Sequence, residues 1–141
     1  MVVRLFSCGY FFQLRLMKKV YYLSSCSTCA RILKETNLEK KIRLNNEVGQ
    51  DFQLQDIKTE KITPAQIDEM AKMAGGYEQL FSRVALKYRA MGLNEMKLTE
   101  KDYRKYILEE YTFLKRPVVI NGSKIYIGNS KANVEAMKKE L

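Results

Sequence analysis

The apolar positions of this chain change period several times, and each change marks an element. Val20-Tyr21-Tyr22-Leu23 is a short β-branched and aromatic run, which predicts a buried strand. After the turn at Ser24-Ser25-Cys26 the pattern becomes helical. Cys29, Ile32 and Leu33 fall on one face of a segment running through Glu35, with Ser27 or Thr28 as its expected cap. Asn45-Asn46 and Gly49 predict a turn. Phe52-Gln53-Leu54-Gln55 alternates with period two and predicts a second strand, extending toward Ile57. Thr63-Pro64 predicts a helix start, because threonine caps an N-terminus and proline suits the first helical position. That helix carries Ile67, Met70, Ala71 and Ala74 on one stripe and stops near Gly75-Gly76.

From Tyr77 to Met91 the pattern predicts one or two helices anchored by Leu80, Phe81, Val84 and Leu86, with Gly92 as the stop. Thr99 caps the next expected helix, whose inner face carries Tyr103, Tyr106 and Ile107. Pro117-Val118-Val119-Ile120 predicts a strand, Asn121-Gly122 a hairpin turn, and Ile125-Tyr126-Ile127 the return strand. Ser130 opens a closing helix through Val134 and Met137. The order is β-α-β, then helices, then a β-hairpin and a helix. That order predicts an α/β domain with a helical insertion.

Composition narrows the chemistry. The chain has 141 residues, a net charge of +9 and no histidine. The absence of histidine excludes imidazole acid/base work and histidine-activated nucleophiles. Three cysteines, Cys8, Cys26 and Cys29, are too few for a secreted disulfide framework and make a poor zinc site, so no metal is expected. The positive charge favours anionic partners, but lysines and arginines are spread along the helices as on a solvated face. No apolar stretch is long enough to span a membrane.

Residues 1–16 are apolar and aromatic, with no acidic residue, and precede Met17-Lys18-Lys19. They are expected to be a non-structural N-terminal extension, with residues 17–141 as the single domain. The run is broken by Arg4, Gln13 and Arg15 and lacks a small-residue cleavage site, so a cytoplasmic location is expected rather than export. Cys8, within that extension, is given no role.

Cys26-Ser27-Thr28-Cys29 sits where a strand hands over to a helix. A helix N-terminus presents unpaired amides and the positive end of the macrodipole. Both favour a thiolate at Cys26 and make it nucleophilic near neutral pH. Cys29 lies about one helical turn away, where a disulfide is geometrically feasible. Attack by Cys26 on a disulfide sulfur or an oxidised oxyanion, with Cys29 resolving the adduct, is the expected mechanism. Leu114-Lys115-Arg116-Pro117 is the second candidate feature. Arg116 is suited to hold an oxyanion through paired hydrogen bonds and to favour the thiolate.

Tyr22-Leu23-Ser24-Ser25-Cys26-Ser27-Thr28-Cys29 followed by a helix resembles the N-terminal motif of the arsenate reductase (ArsC)/Spx family. Phe113-Leu114-Lys115-Arg116-Pro117-Val118-Val119-Ile120 resembles that family's arginine-proline segment, and Phe81 through Gly92-Leu93 resembles the helix before its Gly-Leu turn. The resemblance implies a thioredoxin-like, glutaredoxin-type fold with a helical insertion between the βαβ and ββα halves. It implies a cis proline at Pro117, a nucleophile at Cys26, and oxyanion contacts from Arg116 and, by approximate match, Arg83. The family's remaining oxyanion arginine has no counterpart around Thr63-Pro64-Ala65, and the segment from Leu38 to Asp51 is longer than the family pattern.

The function expected on this basis is a thiol–disulfide oxidoreductase of the arsenate reductase type. Its catalytic residues are Cys26, Cys29 and Arg116, and its substrate-binding residues are Arg116, Arg83 and Pro117. No cofactor is expected to be bound. Glutathione with glutaredoxin, or thioredoxin, is the expected external reductant and redox partner. The alternative is a Spx-like redox-sensing regulator that binds an RNA polymerase subunit, since the second cysteine resembles Spx. Direct nucleic-acid binding is not expected.

Overall fold

In the computed structural model the described residues are 18–42 and 52–141. The expected extension at residues 1–16 and the turn at Asn45-Asn46 and Gly49 lie outside them.

The strands form where the β-branched and aromatic runs lie: β1 Lys18–Tyr22, β2 Gln53–Asp56, β3 Val118–Asn121 and β4 Lys124–Ile127. They make one sheet in the order β2-β1-β3-β4. β1 pairs parallel with β2, with Val20 opposite Leu54, and antiparallel with β3, with Tyr21 opposite Val118. β3 and β4 form the hairpin, closed by Gly122-Ser123 between the paired Asn121 and Lys124. Gly122 has φ 63°, and Ser123 is not left-handed. That combination marks the turn as the type that needs glycine at its first central position.

Six α-helices complete the described residues: α1 Ser27–Glu35, α2 Leu38–Lys41, α3 Pro64–Ala74, α4 Leu86–Ala90, α5 Glu100–Glu109 and α6 Lys131–Glu140. Alternation along the strands divides the core in two. Tyr21, Val118 and Ile120 point to the face covered by α3 and α5, where they pack with Ile67, Met70, Ile107 and Phe113. Val20, Val119 and Tyr126 point to the other face, against Ile32 and Leu33 of α1 and Val134 and Met137 of α6. Burying each of these aliphatic side chains stabilises the fold by about 1.5–3 kcal/mol. The result is the thioredoxin-like βαβ/ββα arrangement, with α3, α4 and α5 inserted between the halves.

Both helices predicted from threonine caps start as the sequence dictates. Thr63 and Gln66 close a reciprocal capping box at α3, and Thr99 and Asp102 close one at α5. Gly75 ends α3 in the left-handed region, with φ 90°.

The stretch from Tyr77 to Met91 departs from the helical reading. A single 3₁₀ turn at Glu78–Leu80 is followed by an extended Phe81, and only Leu86–Ala90 is α-helical. Leu80 and Phe81 anchor this region in the core, but Val84 and Leu86 do not: they are 90% and 92% exposed. Phe81 accounts for the break. It forms an antiparallel bridge with Leu114, with Ser82 N–H donating to Phe113 C=O at 2.7 Å and Lys115 N–H to Leu80 C=O at 2.8 Å. The Phe81 ring then stacks on Phe113 at 5.1 Å and meets Tyr103 at 4.9 Å and Tyr88 at 5.9 Å. An extended backbone at Phe81 satisfies this bridge, and a continuous helix would not.

Candidate active site

Three chain ends meet at one end of the strands. The parallel pair β1 and β2 both finish there, and antiparallel β3 starts there, since Tyr21 faces Val118. The loop Leu23–Cys26, the loop after Asp56, and Arg116-Pro117 are therefore neighbours. Cross-links hold them: Ile57 N–H donates to Tyr22 C=O at 2.9 Å, and Ser24 N–H to Asp56 Oδ1 at 3.4 Å. The Arg116–Pro117 peptide is cis.

Cys26 itself, rather than Ser27 or Thr28, is the N-cap of α1, with extended backbone (φ −95°, ψ 112°). Its N–H donates to Leu23 C=O at 3.0 Å, which closes the turn and fixes the cysteine at the helix mouth. The sulfur takes the place of a capping oxygen without closing a standard cap hydrogen bond.

The pKa of Cys26 nevertheless falls below the ordinary thiol value. Partial burial works against the thiolate. The Cys29 amide, the Cys29 thiol, the Thr28 amide and the Arg116 guanidinium together outweigh it. The cause is the one expected at a helix N-terminus, where unpaired N–H groups face the charge.

Cys29 is driven the opposite way. It is fully buried on the inner face of α1, and burial pushes its thiol up to about 11. The Leu23 amide and Arg116 favour its thiolate, but the charge on Cys26 opposes it, and Cys29 donates its proton toward that sulfur. Both cysteines are free thiols. The pair thus has a half-exposed sulfur that ionises readily and a buried one that keeps its proton, within hydrogen-bonding reach of each other.

Arg116 is half-buried beside this pair, and its charge acts on both sulfurs. Arg83 is placed differently. In the antiparallel bridge at Phe81 and Leu114, the chain reaches Arg83 and Arg116 by running in opposite directions. Arg83 Nη2 instead pairs with Glu78 at 2.6 Å and donates to Tyr103 Oη at 3.2 Å. It also lies over the Tyr103 ring, 5.9 Å from the centroid. The structure brings Cys26, Cys29 and Arg116 together, with cis Pro117 next to Arg116, and pairs Arg83 with Glu78 and Tyr103. Among the described residues no cluster of histidine, cysteine or carboxylate side chains can hold a metal. No helix of the described residues is long and apolar enough to cross a membrane.

The ArsC family model matches residues 21–137, a span that includes both the thiol loop and the Arg116-Pro117 segment. The chain belongs to the ArsC family.

Solved structures agree on the fold. An arsenate reductase from Vibrio cholerae superposes with a TM-score of 0.65 at 12% identity, covering 89% of this chain and 98% of that one. An arsenate reductase (ArsC) related protein from Brucella melitensis gives 0.62 at 21% identity, covering 89% and 96%. A Yersinia pestis protein provisionally assigned as an arsenate reductase gives 0.65 at 16% identity, covering 84% and 98%. A search of curated proteins returns no significant match. Membership of the ArsC family supports thiol-based oxidoreductase chemistry in general.

The sequence reading overlooked a cavity of about 280 Å³ between the loop after β2 and the end of α5. Ile57, Ile62, Ile107 and Tyr111 line it, with Lys58 and Lys61 alongside. Its sequence signal is a charged Lys58-Thr59-Glu60-Lys61 stretch flanked by Ile57 and Ile62 after a strand, a pattern shared by many solvated loops.

Proposed function

We propose that this ArsC-family chain is a thiol–disulfide oxidoreductase of the arsenate reductase type, with Cys26 as nucleophile and Cys29 as resolving thiol. The observation that carries the reading is the placement of the two free thiols, with part-exposed Cys26 at the N-cap of α1 and buried Cys29 one turn behind it. The helix amides and Arg116 favour the thiolate at the sulfur that substrate can reach, and burial keeps the proton on the thiol behind it.

With a disulfide, the Cys26 thiolate attacks one sulfur, a mixed disulfide forms, and the other sulfur leaves with the electron pair and takes a proton from water. Cys29 then loses its proton and attacks Cys26 Sγ. The mixed disulfide breaks, the second substrate thiol departs, and the chain is left with a Cys26–Cys29 disulfide. Two electrons have passed to the substrate.

With arsenate, Cys26 displaces one oxygen as water. Attack by Cys29 on Cys26 Sγ then releases arsenite, again with two electrons passed to the substrate. In this reading Arg116 holds the oxyanion, and its charge favours the Cys26 thiolate. An external dithiol, or glutathione with glutaredoxin, returns the chain to the reduced state.

Arsenate-dependent NADPH oxidation tests the substrate. It is coupled once through glutathione and glutaredoxin and once through thioredoxin, for wild type and Cys26→Ser. Turnover that vanishes in the variant supports the arsenate form. No turnover in either system, from protein whose Cys26 and Cys29 still oxidise reversibly, removes arsenate and leaves a disulfide as substrate. A Cys26–Cys29 switch that instead alters binding to an RNA polymerase subunit would favour the Spx-like reading.

A further inference from the structure

The turn that presents Cys26 is held from outside its own segment. Leu23–Cys26 closes through Cys26 N–H donating to Leu23 C=O at 3.0 Å. Neither central residue, Ser24 or Ser25, has a positive φ, which makes this a type I turn. It sets both sulfurs. Its fourth residue is the nucleophile at the mouth of α1, and the amide of its first residue, Leu23, favours the thiolate at Cys29.

Asp56 reaches this turn across 32 positions of sequence. It ends β2 opposite Tyr22, the residue just before the turn. Its Oδ1 accepts from Lys58 N–H at 3.1 Å and from Ser24 N–H at 3.4 Å. The Lys58 contact is local to the loop after β2. The Ser24 contact joins that loop to the thiol turn and takes up an N–H that the turn's own hydrogen bond leaves free. Burial works against the carboxylate, but the Ser24 hydroxyl, the Lys58 and Ser24 amides and the charge of Lys58 hold its pKa below the ordinary value. Asp56 is therefore ionised at neutral pH. The Tyr22 hydroxyl is pushed up by burial, then by Asp56 and then by Cys29, so it senses the carboxylate and the buried thiol together.

We propose that Asp56 is a positioning residue for the thiol pair: its carboxylate fixes the Leu23–Cys26 turn, and with it the placement of Cys26 at the helix mouth and of the Leu23 amide at Cys29. The inference rests on the reading of Cys26 as nucleophile and Cys29 as resolving thiol. Asp56 is not among the groups that act on either sulfur directly, so its influence runs through the turn.

The sign of the effect separates positioning from charge. Removing a nearby carboxylate, by charge alone, favours a thiolate and moves the Cys26 pKa down. Loosening the turn draws the sulfur away from the helix amides and moves it up.

Two readouts test this in the full chain. The first is the pH profile of Cys26 alkylation by iodoacetamide. The second is a single turnover with the mixed disulfide of glutathione and thionitrobenzoate. There the Cys26 thiolate bonds to the glutathione sulfur, the probe's S–S bond breaks, and thionitrobenzoate leaves with the electron pair. Cys29 loses its proton and attacks Cys26 Sγ, which frees glutathione as a thiol and closes the Cys26–Cys29 disulfide. Mass analysis of quenched samples times that closure.

In Asp56→Ala the alkylation midpoint should rise by about half a pH unit, roughly threefold less thiolate at neutral pH. Closure should slow by about threefold or more as the two sulfurs lose their alignment. Asp56→Asn keeps the accepting oxygen and should restore both values. Asp56→Ser can still accept from Lys58 N–H but is too short for Ser24, so it should behave as Asp56→Ala does and replaces it if that variant does not fold. Proline suits the first central position of a type I turn and needs no N–H partner. Adding Asp56→Ala to Ser24→Pro should therefore change neither readout. Circular dichroism checks folding, and Thr63→Ala, which weakens the fold at α3, should leave both readouts unmoved.

A midpoint that stays or falls in Asp56→Ala and Asp56→Ser would overturn the inference while leaving the thiol chemistry intact. So would an Asp56→Asn protein as impaired as Asp56→Ala, an equal shift in Thr63→Ala, or a full Asp56→Ala effect in the Ser24→Pro background. A Cys26→Ser protein that releases thionitrobenzoate as fast as wild type would instead overturn the underlying reading.

Discussion

At the scale of single residues, everything turns on the contrast between two thiols three positions apart. Cys26 is held below the ordinary thiol value of 9.0 and Cys29 is raised to about 11. Iodoacetamide at neutral pH is expected to label Cys26 alone. A second label on Cys29 should appear only as the pH climbs toward 11, a pattern that peptide mass mapping reads directly. Arg116→Ala should shift the labelling profile of Cys26 toward higher pH, because it removes one of the groups that outweigh the cost of burial.

Linkage sets the sign for stability. A raised thiol pKa means that the unfolded chain loses its proton first, so the reduced fold should weaken as pH rises from 9.0 toward about 11. Urea midpoints across that interval should fall for wild type and fall less for Cys29→Ala. Much of this pair was legible in the sequence, since a CxxC at a strand-to-helix junction needs only the elements on either side. That Cys26 would itself be the cap was not legible, because Ser27 and Thr28 are the stronger cap formers and only the backbone angles decide.

At the scale of elements, the parts bordering the site are tied down by polar groups as well as by burial. Gln55 is buried on β2, and it and Gln66 exchange side-chain hydrogen bonds of 3.2 and 2.9 Å. Gln55 also donates to Glu60 C=O at 3.1 Å. This network shapes the loop that carries Lys58 and Lys61. Gln55→Leu should cost about 1–3 kcal/mol by leaving buried polar groups unpaired, measured by urea unfolding.

Thr63→Ala removes the capping oxygen of α3 and should cost about 1 kcal/mol. Thr63-Pro64 was readable because cap chemistry is local. The region from Tyr77 to Met91 was not, because apolar spacing alone cannot show that Phe81 pairs with a segment more than thirty residues away. The same non-local contact is why Val84 and Leu86, assigned to the core by pattern, stand in solvent.

At the scale of the whole molecule, one end of the strands gathers the thiol loop, the loop after β2 and Arg116-Pro117, while two cores hold the sheet from opposite faces. Phe81 lies at the centre of the aromatic cluster joining the insertion to the segment before β3. Phe81→Ala should cost about 3–5 kcal/mol, seen as a lowered urea midpoint.

The measurement that tests the central claim most directly is trapping of the first intermediate. Reduced Cys29→Ser and Cys26→Ser proteins are mixed with a chromogenic disulfide, and the adducts are located by peptide mass mapping. The account predicts a stable mixed disulfide on Cys26 in the first protein, none on Cys29 in the second, and in wild type a Cys26–Cys29 disulfide in place of the adduct. An adduct that persists in wild type, or one that forms on Cys29 as readily as on Cys26, would contradict it.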